Sequence, residues 1–197
     1  MFISFEGLDG CGKTTQARLL ADALEDEGQS VVRVREPGGT PAGERIRRLL
    51  LDPGEEIAPA AEALLYAAAR AQLVKDVIQP ALERGHHVVA DRFIDSSLAY
   101  QGVARELGVE RVLDANSLAT GGLFPDRTVL LRLNAGQAAE RRAGEPDRIE
   151  AEGEGFHAAV ARGFDQLAGR FPDRIVEIDA QGSPADVLQR VRAAVGL

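Results

Sequence analysis

One run near the amino end restricts this chain more than any other. Gly7-Leu8-Asp9-Gly10-Cys11-Gly12-Lys13-Thr14 is a complete G-x-x-x-x-G-K-S/T phosphate loop. It follows the short apolar run Phe2-Ile3-Ser4-Phe5 and precedes an amphipathic stretch from Lys13 to about Glu27. The motif therefore sits in the strand–loop–helix context it requires. Gly7, Gly10 and Gly12 let the backbone turn with its N–H groups inward, close to an anion. The helix beginning there adds its positive end. Lys13 then reaches β- and γ-phosphate oxygens, and the Thr14 hydroxyl is placed to ligate Mg2+. A nucleoside triphosphate held by residues 7–14 and the adjoining Thr15 is the expected ligand. Cys11 fills an unspecified position and reads as a small spacer rather than a nucleophile.

The rest of the chain alternates in the way such a loop demands. Strand-like runs at Phe2–Glu6, Ser30–Arg35, His87–Asp91, Arg127–Leu133 and Arg174–Asp179 are separated by helical stretches. Four of the five are dense in Val, Ile and Leu, as expected for strands covered on both faces. Ala17, Leu20, Ala21 and Leu24 share one face of the first helix, and Val187, Leu188, Val191 and Val195 share one face of the last. The alternation predicts right-handed βαβ units and a parallel sheet, an α/β fold. Gly144–Gly155, rich in Glu, Gly and Arg, has no apolar periodicity and reads as a mobile surface segment.

Bulk properties narrow the partners. At 197 residues the chain is one domain, with room for a small lid. A net charge of −8 argues against a long nucleic-acid polymer as the main partner. No apolar run approaches membrane-spanning length. One cysteine fits a reducing compartment, and the chain enters its first strand with no leader, so a cytoplasmic location is expected. Lysine occurs only at Lys13 and Lys75. Nearly all positive charge is arginine, the better bidentate phosphate clamp.

Four further constellations bear on chemistry. Val88-Val89-Ala90-Asp91-Arg92 is an apolar strand ending in an acid, which beside a phosphate loop is suited to a Mg2+ site. Arg92 then falls at the carboxyl edge of the sheet, where ligands bind in open α/β folds. Arg35-Glu36-Pro37-Gly38-Gly39-Thr40 reads as a turn on composition, yet it leaves the second strand at the same edge and positions Arg35 to face a second phosphate. Tyr66 and Arg70, four apart on one helix face, read either as a core tyrosine with a surface arginine or as a stacker and bidentate donor for a pyrimidine. Arg141, Arg142 and Arg148 bracket the Gly144–Gly155 segment. They read as a solvated charge run or as a lid, at about 141–155, that brings cations onto transferring phosphates.

In order and at spacing, these blocks resemble the thymidylate kinase family over essentially the whole chain. The blocks are Phe5 to Thr15, Arg35 to Thr40, Tyr66 to Arg70, Asp91-Arg92-Phe93, Ala99-Tyr100-Gln101-Gly102 and Asp147-Arg148-Ile149-Glu150. The resemblance implies a five-stranded parallel sheet in the order 2-3-1-4-5, a homodimer through apolar helix faces, and transfer of phosphate from MgATP to dTMP. Leu64, Leu65, Val74 and Ile78 are candidates for part of that dimer face. By resemblance, Asp9 lies near the sugar 3′-hydroxyl and helps place Mg2+ with Thr14 and Asp91. Tyr66 stacks on thymine, Arg70 bonds the base O4, and Ser97 and Gln101 meet the base edge. Tyr100 lies under C2′ and excludes a ribose hydroxyl. Arg35 and Arg92 hold the acceptor phosphate, and Pro37 stands where a cis peptide is common. The phosphate loop carries no arginine here, so the bacterial-type arrangement is implied, with Lys13, Asp9, Arg92 and Arg148 as the catalytic set and Arg141 and Arg142 on the donor.

Two other readings of the residues remain. A kinase for a deoxynucleoside or another monophosphate shares the same loop. A GTP-dependent switch shares it too, but the chain has no Asn-Lys-x-Asp segment to read guanine.

Overall fold

The computed structural model describes residues 1–133 and 145–197. Five strands, β1 (Phe2–Glu6), β2 (Val31–Arg35), β3 (His87–Asp91), β4 (Arg127–Arg132) and β5 (Ile175–Asp179), form one parallel sheet in the order β2-β3-β1-β4-β5. This is the order the resemblance implied. Strand positions match the apolar runs, except that Ser30, Leu133 and Arg174 fall just outside.

Period-two alternation decides which residues meet which layer. In β1, Ile3 and Phe5 face one side with Val89 of β3 and Val129 and Leu131 of β4. Phe2, Val88, Ala90 and Leu130 face the other. Both sides are apolar because helices cover both, as an all-parallel sheet requires. On the first side lie α1 (Lys13–Asp26), through Ala17, Leu20, Ala21 and Leu24, and the carboxyl-terminal α8 (Pro184–Val195), through Val187, Val191 and Val195. The start of α8 is fixed by a capping box between Ser183 and Asp186, with Pro184 following the cap.

The second side holds the longer helical layer. Here α2 (Pro41–Leu51) packs on α3 (Pro59–Leu73), which runs through a π-helical turn (Val74–Ile78) into the short α4 (Gln79–Glu83). After β3, α5 (Ile94–Ser97) runs into a second π-helical stretch (Leu98–Ala104), followed by α6 (Val109–Thr120). The α7 helix (Glu154–Arg170) packs along that π-helical stretch. Gly163 is the contact point: a Cβ there would come to 3.0 Å from the Ala99 Cα, so only glycine lets the two backbones meet.

Two expectations are corrected by this layer. Val74 and Ile78 are buried in the core, not on an outer face. The candidate dimer residue Leu64, in contrast, is 61% exposed. The π-helical turn explains the split, because i→i+5 bonding rotates the helix and carries the apolar stripe inward. The second correction concerns 145–155. Within it the Asp147 carboxylate accepts from the amides of Ile149 and Glu150, and Ile149, 5% exposed, is in the core. A segment without periodicity is here anchored by one turn and one buried side chain. No helix among the described residues is long and apolar enough to cross a membrane.

Candidate active site

Parallel pairing aligns the carboxyl ends of β1, β2 and β3 at one edge, so the phosphate loop, the Arg35–Thr40 loop and the Asp91-Arg92 turn converge. They line a cavity of about 710 Å³. Gly7, Gly10 and Gly12 all have positive φ, and a Cβ at Gly7 would meet the Leu131 carbonyl oxygen at 2.6 Å. The loop can have only glycine at that point. Lys13 folds back across it, donating from Nζ to the Gly7 carbonyl at 3.1 Å and the Leu8 carbonyl at 2.8 Å, with the Asp9 carboxylate at 3.6 Å. Its ammonium is thus held at the cavity wall before any phosphate arrives.

The centre of the cavity is a cation–carboxylate pair built from two loops. Arg92 pairs with Asp9 and donates to Ser96 Oγ at 2.9 Å, while the Tyr100 hydroxyl donates to Asp9 at 3.2 Å. Burial works against the Asp9 charge, but Arg92 and Lys13 outweigh it and hold the carboxyl well below the usual range. Burial pushes the Tyr100 phenol far up, so it stays a hydroxyl. Arg92 has a left-handed backbone, φ 69°, unusual outside glycine. That strain, at the residue facing Asp9, marks the turn as functional.

Behind this pair lies Glu6, fully buried at the end of β1. It accepts from the Phe93 amide at 2.7 Å and from Ser96 Oγ at 2.5 Å. Burial and the neighbouring Asp95 push its carboxyl up to about 7, against the opposing pull of Arg92. The sign of the resulting pH dependence is definite. Between about 4.5, where the unfolded chain releases this proton, and about 7, the folded chain still holds it. Stability therefore falls as pH rises across that window and levels off above it. Glu6→Gln should flatten this slope, a difference worth a few kcal/mol in urea unfolding between about pH 5 and about pH 7.5. Equal slopes in the two proteins would show that Glu6 carries no such proton.

The far wall is polar and buried. Arg70, only 1% exposed, donates to both Glu36 oxygens from Nε, to Ser97 Oγ at 3.0 Å, to Asn116, and to the Phe93 carbonyl at 3.0 Å. Its reading as a surface arginine is therefore excluded: it sits within the cavity wall beside Tyr66, Ser97 and Gln101. Burial, with the charge of Glu62, raises the Tyr66 phenol. Pro37 follows a cis peptide bond, as the resemblance implied. Arg35 reaches the rim, 3.6 Å from Glu44.

One open-mouthed cavity thus joins a triphosphate loop to a buried polar wall through an arginine–aspartate pair. A family model for thymidylate kinase matches residues 5–191. The chain belongs to the thymidylate kinase family. It is 50% identical over 195 residues to a thymidylate kinase of Caldanaerobacter subterraneus subsp. tengcongensis, covering 98% of this chain and 94% of that one. It is 49% identical over 199 residues to one of Gloeobacter violaceus, covering 99% and 94%. The crystal structure of a thymidylate kinase from Ehrlichia chaffeensis superposes with a TM-score of 0.84 at 31% identity, covering 100% of this chain and 98% of that one.

Of the residues named from the thymidylate kinase blocks, Gly7 and Leu8 do not themselves line the cavity and most of the others do. Asp9, Thr14, Arg35, Tyr66, Arg70, Asp91, Arg92, Ser97, Tyr100 and Gln101 all line the cavity. Arg148 does not. Its Nε donates to the Leu50 carbonyl at 2.7 Å and its guanidinium pairs with Glu62 at 2.7 Å. The pull of a buried carboxylate directs it away from the phosphate loop. Arg141 and Arg142 lie outside the described residues.

Sequence reading missed other lining residues, among them Gln16, Arg47, Ser96, Asp147 and Glu150. Arg47 donates to the Pro37 carbonyl at 2.9 Å and its pKa is lowered by burial and by the like charge of Arg35. Its amphipathic helix offered a clue, but Arg45 and Arg48 beside it mask which arginine faces inward. Asp147 and Glu150 lie in the Asp147–Glu150 block, where the resemblance implies a role only for the arginine.

The oxygen donors fit a hard divalent cation. Thr14 Oγ1 lies 2.5 Å from Asp91 Oδ2, at the foot of the phosphate loop. No group of three or more His, Cys, Asp or Glu able to hold a metal occurs among the described residues. One hydroxyl and one carboxylate match Mg2+, which keeps waters and phosphate oxygens as its other ligands.

Proposed function

We propose that the chain transfers the γ-phosphoryl group of ATP to dTMP, giving ADP and dTDP by in-line displacement. The observation that carries this is the continuity of the cavity, from Lys13 and Thr14 through Arg92 to the buried wall of Arg70, Ser97 and Gln101. The acceptor is already an anionic phosphate oxygen, so no general base is needed. The protein's work is positioning and charge neutralisation.

In this reading Gly7–Thr15 and Lys13 hold the donor phosphates, and Arg35 and Arg92 hold the acceptor phosphate. Asp9 orients Arg92 and meets the sugar 3′-hydroxyl. Tyr66 stacks on thymine, Arg70 reads O4, Ser97 and Gln101 meet the base edge, and Tyr100 closes the space below C2′. Thr14 and Asp91, with Asp9 nearby, would hold Mg2+, which when bound neutralises charge on the phosphates. Lid cations from about 141–155 complete the set, with Arg141 and Arg142 on the donor. Arg148 joins them only by leaving Glu62.

The protein acts in this reading as a cytoplasmic single-domain homodimer. Leu64 on α3 and Leu118 on the adjoining α6 are 61% and 87% exposed and supply the apolar surface for the partner. The first experiment is ADP release from MgATP with dTMP, dUMP, dCMP, UMP, thymidine or no acceptor. Turnover largely confined to dTMP, with dUMP weaker and UMP excluded by Tyr100, is the expected result. Strong turnover with thymidine would move the acceptor class, and release without any acceptor would remove the acceptor site.

A further inference from the structure

Glu62, on α3, is fully buried yet does not line the cavity. Its carboxylate has four donors. Oε1 accepts from Gln101 Nε2 at 2.9 Å and Arg105 Nε at 3.2 Å. Oε2 accepts from Arg105 at 3.2 Å and Arg148 at 2.7 Å. It is ion-paired with two guanidiniums, and a carboxylate in such pairs accepts from them. Arg105 is itself held by Glu152 at 2.5 Å and lies over the Phe156 ring at 4.5 Å. The arrangement is thus pinned from α7 as well as from 145–155.

The consequence falls on Gln101. A side-chain amide has a donating end and an accepting end, and only its neighbours decide which points where. With Glu62 accepting, the NH2 end must face Glu62. A flipped amide would set its oxygen against a carboxylate oxygen in a water-poor space. Gln101 Oε1 takes no donor among the described residues and belongs to a residue that lines the cavity. We propose that Glu62 is a positioning residue for base specificity: it locks Gln101 so that a carbonyl, never an NH2, meets the base edge. A pyrimidine with a hydrogen on ring N3, as in thymine or uracil, satisfies that carbonyl. Cytosine presents a lone pair at N3 and is repelled. This rests on the dTMP reading above and adds a second filter to the O4 contact of Arg70.

The test compares dTMP with dCMP, whose N3 carries a lone pair in place of the hydrogen, and reads how their ratio changes between native protein and variants, the Arg70 contact being the same in each. Of the native preference for dTMP in kcat/KM, about ten- to a hundredfold should come from the fixed carbonyl of Gln101. In Glu62→Gln the fixed acceptor is lost, Gln101 turns freely, and the preference should shrink by about that factor, with dCMP turnover rising. Gln101→Leu should show the same reduced ratio, and the double variant no further change. If Glu62→Gln lowers both substrates equally and keeps the native ratio, Glu62 is only structural and the proposal fails. If Glu62→Gln does not fold, Glu62→Asp keeps the charge and arginine pairs, withdraws the carboxylate from Gln101, and is judged by the same ratio. A native protein that turns over dTMP without preferring it to dCMP overturns this proposal and leaves the kinase reading in place. One that ignores dTMP overturns the substrate reading.

Discussion

Lys13→Ala should fold normally and lose about three or more powers of ten in kcat. Charge stabilisation of the transferring group is the largest single contribution in phosphoryl transfer, and Lys13 is the cation held within the loop itself. Its ammonium bonds to the Gly7 and Leu8 carbonyls and to Cys11 Sγ, and approaches Asp9. Removing it leaves two carbonyls at a cavity wall that water can reach, so the stability cost should stay near 1 kcal/mol. Steady-state rates with a thermal melt of the same preparation separate the two effects. A near-native rate would remove Lys13 from the mechanism.

Arg92 offers a sharper separation of chemistry from folding. Its backbone is left-handed at φ 69°, a conformation that favours glycine. Arg92→Gly should therefore recover about 1 kcal/mol of backbone strain while deleting the guanidinium that faces Asp9. A comparable amount is lost with the partly buried pair, so the melting temperature should change little. The rate should fall about a thousandfold, in the range known for arginines that neutralise a transferring phosphoryl group. The acid limb of unfolding should also shift, because Asp9 loses the stronger of its two cations and its pKa returns toward the normal range. A variant that melts far lower would make Arg92 a structural residue first.

Much of this was legible in the residues because it depends on local pattern. Each strand is a short apolar run between helical periods, and the structure moved their ends by at most one residue. The phosphate loop is a contiguous motif, so its glycines and lysine were placed without tertiary information. What remained hidden depends on contacts between distant segments. Arg70 was open to a surface reading because its partner Glu36 lies 34 residues back. Arg148 sits in the expected block, but a block names a position and not a direction, and Glu62 takes it 86 residues away. Glu62 itself is one acid in an alanine-rich helix, with nothing in spacing to show that four donors converge on it. Val74 and Ile78 could not be told apart from core residues in the sequence, because an apolar side chain buried within a monomer and one buried in a dimer face look alike; the structure puts both in the core.

The Arg70 guanidinium has a further consequence. Its five N–H groups already have acceptors in Glu36, Ser97, Asn116 and Phe93. A base carbonyl arriving here gains no vacant donor; it trades with Ser97. The trade contributes little attraction, since one hydrogen bond replaces another. An amino group at the same place meets a wall of donors with nothing to accept it. That corner of the site is therefore a filter more than a magnet: it does little to hold the right nucleotide and much to refuse the wrong one.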